Sequence, residues 1–274
     1  MDMTRDINLD RLALDYNTAT SRLILFDYDG TLVPFANDPS TVQMAPDARE
    51  WISALTADKR NHLLVISGRY KEYLELIFKT IPIVLVAEHG GFYKNPGNAW
   101  RQMFPISGDW IIKTLPALRA LAFHYEGSIL EQKNFSLAWH YGGISDKVTD
   151  SEKKQILAAI RALPNYNNFL VYDGEFTIEL RTPGIDKSSF ISRWVGSRNY
   201  DFVMAVGDSQ TDEDLFKVFA KNSYTIKVGK SPDSASNFHL TGQEDVIPFI
   251  ENLVISNRDF DRMKTNIGLG WGSD

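Results

Sequence analysis

Two aspartates, one residue apart, follow a run of four apolar residues near the start of the sequence. The run covers residues 23–26, the acids are Asp27 and Asp29, and Gly30 comes next. A short apolar run bounded by turn residues is typical of a buried β-strand, and side chains two residues apart on a strand point to the same side. We therefore expect both carboxylates to enter one pocket where the strand ends.

Two carboxylates in one pocket are suited to phosphate chemistry. They repel each other, so that one of them takes up a proton or a cation shares the site. Mg²⁺ takes carboxylate ligands together with phosphate, and an aspartate can attack a phosphoryl group as a nucleophile. The alternative is a solvated Asp-Gly turn after a strand, and an isolated Asp-x-Asp pair favours that alternative.

Composition excludes several classes of function. The net charge of the 274 residues is −6 and no basic cluster is present, so nucleic acid is not an expected partner. The absence of cysteine excludes disulfides, thiolate metal sites and thiol catalysis. Residues 1–10 do not resemble a secretory signal, and the longest apolar run, residues 81–87, is too short to span a membrane. We expect a cytoplasmic protein that does not insert into membranes.

Alternating strand and helix patterns predict a parallel sheet in the first part of the chain. The predicted strands and helices are, in chain order, 23–26, 46–57, 62–66, 70–79 and 83–87. This alternation is typical of a sheet with helices on both faces, and such sheets bind ligands beyond the carboxyl ends of their strands. Asp27, Ser67 and His89 each follow a predicted strand, so we expect them in one site.

The pattern changes between residues 105 and 183 and then returns. The middle part has predicted helices at 109–122 and 151–163, an extended segment at 128–141 and a hairpin with an Asp-Gly turn at 169–180. The parallel pattern resumes with a helix at 187–195, strands at 202–206 and 224–228, and helices at 212–220 and 245–255. We therefore predict a core domain of residues 1–104 and 184–274 with an inserted α+β domain, 105–183, between Pro105 and Pro183 as hinges.

The two ends of the chain give weaker patterns. Residues 1–22 lack a strong periodicity, and the tail from Asn257 onward, with several glycines, is predicted to have no regular structure.

Two further acids follow a later predicted strand. Asp208 follows the run at 202–206 in the same way that Asp27 follows the first strand, so we expect it in the same pocket. Asp212 lies four residues on and can share a helical face with it. Acids also occur in first helical turns for purely electrostatic reasons; this alternative applies to Asp212 but poorly to Asp208, which precedes the helix.

Together these segments resemble the four ordered motifs of the haloacid dehalogenase (HAD) superfamily of phosphotransferases. The matching segments are Asp27-Tyr28-Asp29-Gly30-Thr31, Ser67-Gly68-Arg69, Lys187 and Gly207-Asp208-Ser209-Gln210-Thr211-Asp212. The first motif alone is moderately specific, whereas four motifs in order are highly specific. The resemblance implies an α/β fold, with a Rossmann-like HAD core built on a parallel sheet and a smaller inserted α+β cap domain of the C2B type.

The same resemblance implies a mechanism with Mg²⁺ as cofactor. Asp27 would attack phosphorus and form an aspartyl phosphate, while Asp29 would protonate the leaving oxygen and then activate water. The third implied catalytic residue is Lys187, for which a surface lysine at a helix start is the alternative. The implied phosphate-binding residues are Asp27, Thr31, Ser67, Gly68 and Lys187. The implied metal ligands are Asp27, Asp29 through its backbone carbonyl, Asp208 and Asp212.

The middle part of the chain narrows the resemblance to the trehalose-6-phosphate phosphatases. The matching segments are Glu131-Gln132-Lys133-Asn134-Phe135-Ser136, His140-Tyr141, Ile178-Glu179-Leu180-Arg181 and Glu88-His89-Gly90-Gly91. The substrate-binding residues implied are Arg69, His89, Gly90, Glu131, Lys133, Ser136, His140 and Glu179. The match covers about residues 22 to 229, and it departs from the family at Gly142, Ser188 and Ser209, where Arg, Gly and Asp are frequent.

One feature conflicts with a shared role for the four residues in the 131–140 segment. If this segment were a single strand, Glu131 and Lys133 would face away from Ser136 and His140, unless a bend or bulge lay near residues 134–135. The alternatives are an exposed Glu131–Lys133 ion pair of little energetic value and a purely structural role for His140.

Three functions remain open from the sequence. The first is a magnesium-dependent hydrolase of trehalose biosynthesis that acts on trehalose 6-phosphate. The second is a related phosphatase for another phosphorylated disaccharide or glycosyl acid, and the third is a regulatory domain that binds sugar phosphate and assists a synthase. The presence of Asp27, Asp29, Lys187 and Asp208 favours an active enzyme. The sequence leaves open whether the chain is fused to, or associates with, a trehalose-6-phosphate synthase.

Overall fold

The computed structural model describes residues 7–36, 41–106, 109–174, 176–219 and 223–268. The helices are α1 (Leu9–Thr18), α2 (Pro46–Ala57), α3 (Lys71–Ile77), α4 (Asp109–His124), α5 (Asp150–Arg161), α6 (Lys187–Val195), α7 (Gln210–Val218) and α8 (Val246–Gly268). The strands are β1 (Arg22–Phe26), β2 (Asn61–Ile66), β3 (Val84–Ala87), β4 (Phe92–Lys94), β5 (Arg101–Gln102), β6 (Ile129–Gln132), β7 (Ser136–His140), β8 (Leu170–Asp173), β9 (Thr177–Arg181), β10 (Phe202–Gly207), β11 (Tyr224–Val228) and β12 (Phe238–Leu240).

The larger sheet has eight strands in the order β12-β11-β10-β1-β2-β3-β4-β5. Neighbours from β12 to β3 are parallel, and β4 and β5 add an antiparallel edge. β1 is central: its Phe26 pairs with Val206 of β10 and with Val65 of β2. All residues of β1 are buried, as expected for a strand covered on both faces. The predicted α/β fold with a parallel sheet is confirmed, and the carboxyl ends of β1, β2, β3 and β10 meet at one edge.

Helices cover both faces of this sheet. Helices α1, α2, α3 and α8 pack on one face in the same hydrophobic core as Ile24, and α8 contributes Ile250 there. Helices α6 and α7 pack on the other face in the same core as Leu25, and α6 contributes Phe190. Because successive side chains of a strand point to opposite faces, the apolar run of β1 supplies both cores.

A second, four-stranded antiparallel sheet has the order β6-β7-β9-β8. We call the elements from α4 to β9 the small lobe and the other described elements the large lobe. Helices α4 and α5 pack on one face of the small sheet around Trp139 and Ile178. The opposite face carries Glu131, Ala138 and Glu179, which are paired across neighbouring strands. The division of the chain into a core domain of residues 1–104 and 184–274 and an inserted domain of residues 105–183 stays a prediction.

The segment 128–141 differs from its prediction as a single extended stretch. It is a hairpin in which β6 pairs with β7, Glu131 lies opposite Ala138, and the amide of Lys133 donates to the carbonyl of Ser136 across the turn. Paired residues of neighbouring strands point to the same face, so Glu131 and His140 share one. The sequence required a bend near residues 134–135 for Glu131 and His140 to share a face, and the structure has a hairpin turn there.

Both ends of the chain are more regular than predicted. Helix α1 occupies part of the segment without periodicity; the side chain of Asn8 caps it, and Leu12 and Tyr16 are buried. Helix α8 continues from the predicted closing helix to Gly268, whereas the sequence predicted no regular structure after Asn257; the final glycines lie outside the described residues. No helix in the described ranges is long and apolar enough to cross a membrane.

Candidate active site

A cavity of about 640 Å³ lies between the two lobes, at the carboxyl edge of the larger sheet. The predicted site residues that line it are Asp27, Asp29, Gly68, Arg69, His89, Glu131, Lys133, His140, Glu179, Lys187 and Asp208. Within the described ranges, five predicted residues do not line the cavity but are hydrogen-bonded or adjacent in sequence to residues that do: Thr31, Ser67, Gly90, Ser136 and Asp212. The structure therefore brings together residues that are up to 181 positions apart in the chain.

Asp27, Asp208 and Lys187 line the large-lobe wall of the cavity, and the carboxylate of Asp212 binds Lys187 next to that wall. Carboxylate oxygens of Asp27, Asp208 and Asp212 lie within 4.8 Å of one another. Nζ of Lys187 is 2.7 Å from Asp27 Oδ2 and 2.8 Å from Asp212 Oδ1, and its side chain is 1% exposed. The hydroxyl of Thr31 donates to Asp208 at 3.1 Å. We call Asp27, Asp208, Asp212 and Lys187 the acidic cluster.

The acidic cluster has more negative than positive charge. Burial, together with the charge of Asp212, raises the pKa of Asp27 well above its usual range and that of Asp208 to about 7. Burial alone would raise the pKa of Asp212, but the ammonium of Lys187 outweighs it and lowers that pKa. A set of hard oxygen donors with uncompensated negative charge fits a divalent cation such as Mg²⁺, and displaced pKa values of this kind are concentrated at functional sites.

Local capping fixes two members of the acidic cluster. Lys187 is the first residue of α6, which the side chain of Asp186 caps by accepting from the amide of Ser189. Asp212 accepts from the amide and hydroxyl of Ser209 with one oxygen and from Lys187 with the other. The two interpretations of Asp212 are thus compatible: the same side chain caps α7 and faces the cavity lysine.

Behind the acidic cluster lies a residue that sequence analysis did not single out. Nζ of Lys227 donates to the backbone carbonyl of Asp208 at 2.5 Å, and it lies 3.3 Å from the carboxylate of Glu213. Lys227 is in β11, the strand next to the one that Asp208 follows. The sequence could have indicated Lys227, because it lies near the carboxyl end of a predicted parallel strand, as Asp27 and Asp208 do.

Asp29 has a different partner from Asp27. Arg69 holds its carboxylate with two hydrogen bonds, from Nε at 2.8 Å and from Nη2 at 2.5 Å. Gly30 follows with a φ of +77°, and a Cβ there would lie 2.4 Å from the ring of Phe35 and 2.5 Å from Asp208. Only glycine fits this turn, which aims the two aspartates at one cavity with separate cationic partners.

Charged side chains also form the small-lobe wall. Nζ of Lys133 is 3.2 Å from Glu131 and 3.5 Å from Glu179, and it donates to the carbonyl of Gly68 in the large lobe at 3.0 Å. A ring nitrogen of His140 is 3.1 Å from Glu131. Burial opposes ionisation of Glu131, but His140 and Lys133 outweigh it and lower its pKa. Glu131 and Lys133 therefore belong to a buried network, since the lysine side chain is only 7% exposed.

Glu179 lies at the centre of this network. It accepts from the hydroxyl of Ser136 at 2.9 Å and from Nε of Arg181 at 2.7 Å, and Nε2 of His89 is 3.3 Å away. Burial opposes ionisation of Glu179, but Arg181 and Lys133 outweigh it and lower its pKa well below the usual range. Burial, and then the charge of Arg181, lowers the pKa of His89 to about 4. Arg181 was not predicted, although its position two residues after Glu179 on one strand places both on the same face.

The fold is similar to that of HAD-like hydrolases. A haloacid dehalogenase-like hydrolase from Bacteroides thetaiotaomicron shares the fold with a TM-score of 0.60 at 16% identity, over 85% of this chain and 99% of that one. The structure of the C. albicans trehalose-6-phosphate phosphatase C-terminal domain is more similar, with a TM-score of 0.80 at 25% identity, over 92% of this chain and 98% of that one.

The chain belongs to the trehalose-phosphatase family, whose sequence profile matches residues 25–244. It is 31% identical over 230 residues to the bifunctional trehalose-6-phosphate synthase/phosphatase of Thermoproteus tenax. The matched region covers 84% of this chain and 32% of that protein. The chain spans about a third of the length of the curated relatives it matches.

Proposed function

We propose that the chain is a magnesium-dependent phosphatase that hydrolyses trehalose 6-phosphate to trehalose and phosphate. The observation that carries the proposal is the buried Asp27 carboxylate beside Lys187, at the base of a cavity whose opposite wall is charged. Family membership supports the reaction, and the names of the similar proteins described above support the substrate.

The proposed first step is attack of the Asp27 carboxylate on phosphorus. A bond forms between a carboxylate oxygen and phosphorus, and the bond from phosphorus to the sugar oxygen breaks. Asp29 gives a proton to the departing sugar oxygen and later takes one from the water that hydrolyses the aspartyl phosphate. Because Arg69 holds the Asp29 carboxylate in the structure, this contact has to release before Asp29 can donate a proton.

The phosphoryl oxygens require positive charge, because phosphoryl transfer depends mainly on positioning and electrostatic stabilisation. Lys187 supplies one positive charge, and Thr31, Ser67 and Gly68 are the other proposed phosphate-binding residues. Mg²⁺, held by Asp27, Asp208, Asp212 and the backbone carbonyl of Asp29, would neutralise further charge on the phosphoryl group. The excess of carboxylates over ammonium groups in the acidic cluster supports this assignment.

The sugar is proposed to lie against the small-lobe network. The proposed contacts are Arg69, His89, Gly90, Glu131, Lys133, Ser136, His140 and Glu179. Buried charged groups of this kind bind hydroxyls and discriminate against analogues that lack them. We propose that residues 105–183 form a cap that closes over the substrate on a core of residues 1–104 and 184–274.

A trehalose-6-phosphate synthase is the proposed partner, either fused to this chain or associated with it. Support comes from the name of the Thermoproteus tenax relative, which combines both activities, and from the share of that protein that the chain covers. Such a partner would deliver the phosphorylated disaccharide directly to the cavity.

The test is phosphate release from trehalose 6-phosphate, sucrose 6-phosphate and glucose 6-phosphate, each with Mg²⁺ and with chelator. We expect fast, Mg²⁺-dependent release from trehalose 6-phosphate alone. Equal rates on all three sugars would overturn the substrate, and undiminished rates in chelator would overturn the cofactor. Binding of trehalose 6-phosphate without release would replace the enzyme with a regulatory sugar-phosphate-binding domain.

A further inference from the structure

The turn of the β6–β7 hairpin is held by a carboxylate from the other lobe. Glu88 follows β3 in the large lobe and is 2% exposed. One of its oxygens accepts from the backbone amides of Asn134, at 2.9 Å, and Phe135, at 3.1 Å. Its other oxygen accepts from the side-chain amide of Asn134 at 2.8 Å. All three hydrogen bonds cross from one lobe to the other.

Phe135 is embedded in the large lobe. Although it belongs to the hairpin, its side chain is part of the large-lobe core, and its ring lies 5.4 Å from that of Phe92. A Cβ on Gly91 would lie 2.3 Å from the Phe135 ring, so the absence of a side chain there makes room for it. The carbonyl of Phe135 accepts from the amide of Thr182 at 2.9 Å, where the chain returns to the large lobe. The turn is therefore fixed by packing as well as by Glu88.

The loop that carries Glu88 is strained and tied to a neighbouring loop. Glu88 and His89 have φ angles of +49° and +57°, which L-residues with a side chain rarely adopt. Such a conformation persists only when its surroundings over-determine it. Here the amide of Glu88 donates to the carbonyl of Arg69, and that of His89 donates to the carbonyl of Ser67. Glu88 thus joins the hairpin turn to the loop proposed to bind phosphate.

We propose that Glu88 is a positioning residue that anchors the tip of the β6–β7 hairpin and so sets the distance between the sugar-binding side chains and Asp27. Lys133 and Ser136 flank the anchored turn, and Glu131 lies two residues beyond Lys133. The kinetic consequence rests on the proposed function.

Two substitutions of Glu88 distinguish the effect of its hydrogen bonds from the effect of its negative charge. Glu88→Leu keeps the approximate size but removes every acceptor. Glu88→Gln keeps one acceptor oxygen for the two backbone amides, and a flipped Asn134 side chain can accept from the new amide group. We expect Glu88→Leu to raise KM for trehalose 6-phosphate about tenfold, with kcat/KM for p-nitrophenyl phosphate, which has no sugar, changed less than about twofold. We expect Glu88→Gln to have a KM for trehalose 6-phosphate close to the wild-type value.

The matched control is Glu75→Leu. Glu75 is also in the large lobe and also binds two partners, Lys94 and Trp100, but it lies outside the cavity. We expect Glu75→Leu to change neither the KM for trehalose 6-phosphate nor the kcat/KM for p-nitrophenyl phosphate. If Glu88→Leu does not fold, Asn134→Ala removes one of the three hydrogen bonds and should give a smaller KM increase of the same kind.

Hydrogen exchange tests the anchor independently of substrate. In Glu88→Leu, the amides of Asn134 and Phe135 should exchange at least about tenfold faster than in the wild-type protein, while the amides of β1 stay protected. In Glu88→Gln, the amides of Asn134 and Phe135 should exchange at about the wild-type rate. Unchanged exchange at the turn, or equal losses on both phosphate esters, would overturn the anchor. If the wild-type protein does not hydrolyse trehalose 6-phosphate but the variants show the expected exchange pattern, the proposed function is overturned and the anchoring role of Glu88 is retained.

Discussion

Charged side chains cluster at both ends of the larger sheet, but the two clusters differ in their balance of cationic and anionic groups. At the amino end, two cations face two anions: Arg22 lies 2.9 Å from Asp58, and Arg60 lies 2.7 Å from both Asp58 and Asp261. At the carboxyl end, the acidic cluster has three carboxyl groups for one ammonium group.

The pKa values follow this balance. Burial opposes ionisation of Asp58, but hydrogen bonds from Arg60 and the charge of Arg22 outweigh it and lower the pKa to about 2. Burial and Asp212 instead raise the pKa of Asp208 to about 7. Balanced charges of this kind stabilise the fold, whereas an unbalanced set favours binding of a cation or a phosphoryl group.

The largest expected effect is on catalysis at the carboxyl end. Asp27→Asn removes the proposed nucleophile, and kcat for trehalose 6-phosphate should fall by at least about 10⁴-fold, as for other covalent nucleophiles. The matched variant at the amino end, Asp58→Asn, should retain kcat within about threefold. Phosphate-release assays at saturating substrate provide the comparison, and a similar kcat for both variants would remove the functional distinction between the ends.

The next effect is on stability. Lys187→Met leaves Asp27 and Asp212 buried without their ammonium partner, so the free energy of unfolding should fall by about 3–5 kcal/mol. Arg60→Met, at a side chain that is 27% exposed, should cost about 1 kcal/mol. Urea unfolding at pH 7.5 in chelator measures both, and equal losses would contradict the assignment of Lys187 to an over-charged cluster.

Neutralising one acid at each end should have effects of opposite sign. In chelator at pH 8, Asp208→Asn removes a carboxylate whose ionisation the fold disfavours, and the free energy of unfolding should rise by about 1–2 kcal/mol. Asp58→Asn removes a favoured carboxylate and should lower it by about 1–2 kcal/mol, after allowance for partial exposure. Two changes of the same sign would show that the charge balance does not control stability.

The smallest effect is a slope with pH. The folded protein keeps the Asp208 proton up to about pH 7, whereas the unfolded chain loses it near pH 3.8. Between these values the folded state binds more protons, so stability in chelator falls as pH rises, by at most about 1.4 kcal/mol per unit. Asp208→Asn should reduce this slope between pH 5 and 7 without abolishing it, because the raised pKa of Asp27 contributes a slope of the same sign. An unchanged slope in the variant would assign the proton to another group.

Sequence reasoning reached the carboxyl edge because its signals are local there. The apolar runs of β1, β2, β3 and β10 are visible within a few residues, and the acids follow them directly. Parallel strands place such residues at one edge whatever the rest of the fold does. The grouping of Asp27, Asp208 and Lys187 could therefore be predicted, although their catalytic and binding roles stay a prediction.

The small lobe was harder to predict because its turn depends on a distant residue. The hairpin turn at residues 133–135 has no glycine or proline, and its amides at Asn134 and Phe135 donate to Glu88, more than 40 positions earlier in the chain. Likewise, α8 continues past Asn257 because that side chain, 8% exposed, accepts from Arg22 in β1. Such long-range partners override local propensity, and no short window of sequence contains them.

The central position of β1 has a consequence for the robustness of the molecule. Both edges of this strand are paired with parallel neighbours, and the amide of Asp27 itself donates to Val206 at 2.9 Å. Central strands open to solvent only in global unfolding, while sheet edges such as β5 and β12 fray first. Insertions, tags or proteolytic nicks at those outer strands should therefore leave the carboxylate that meets the substrate in its original place.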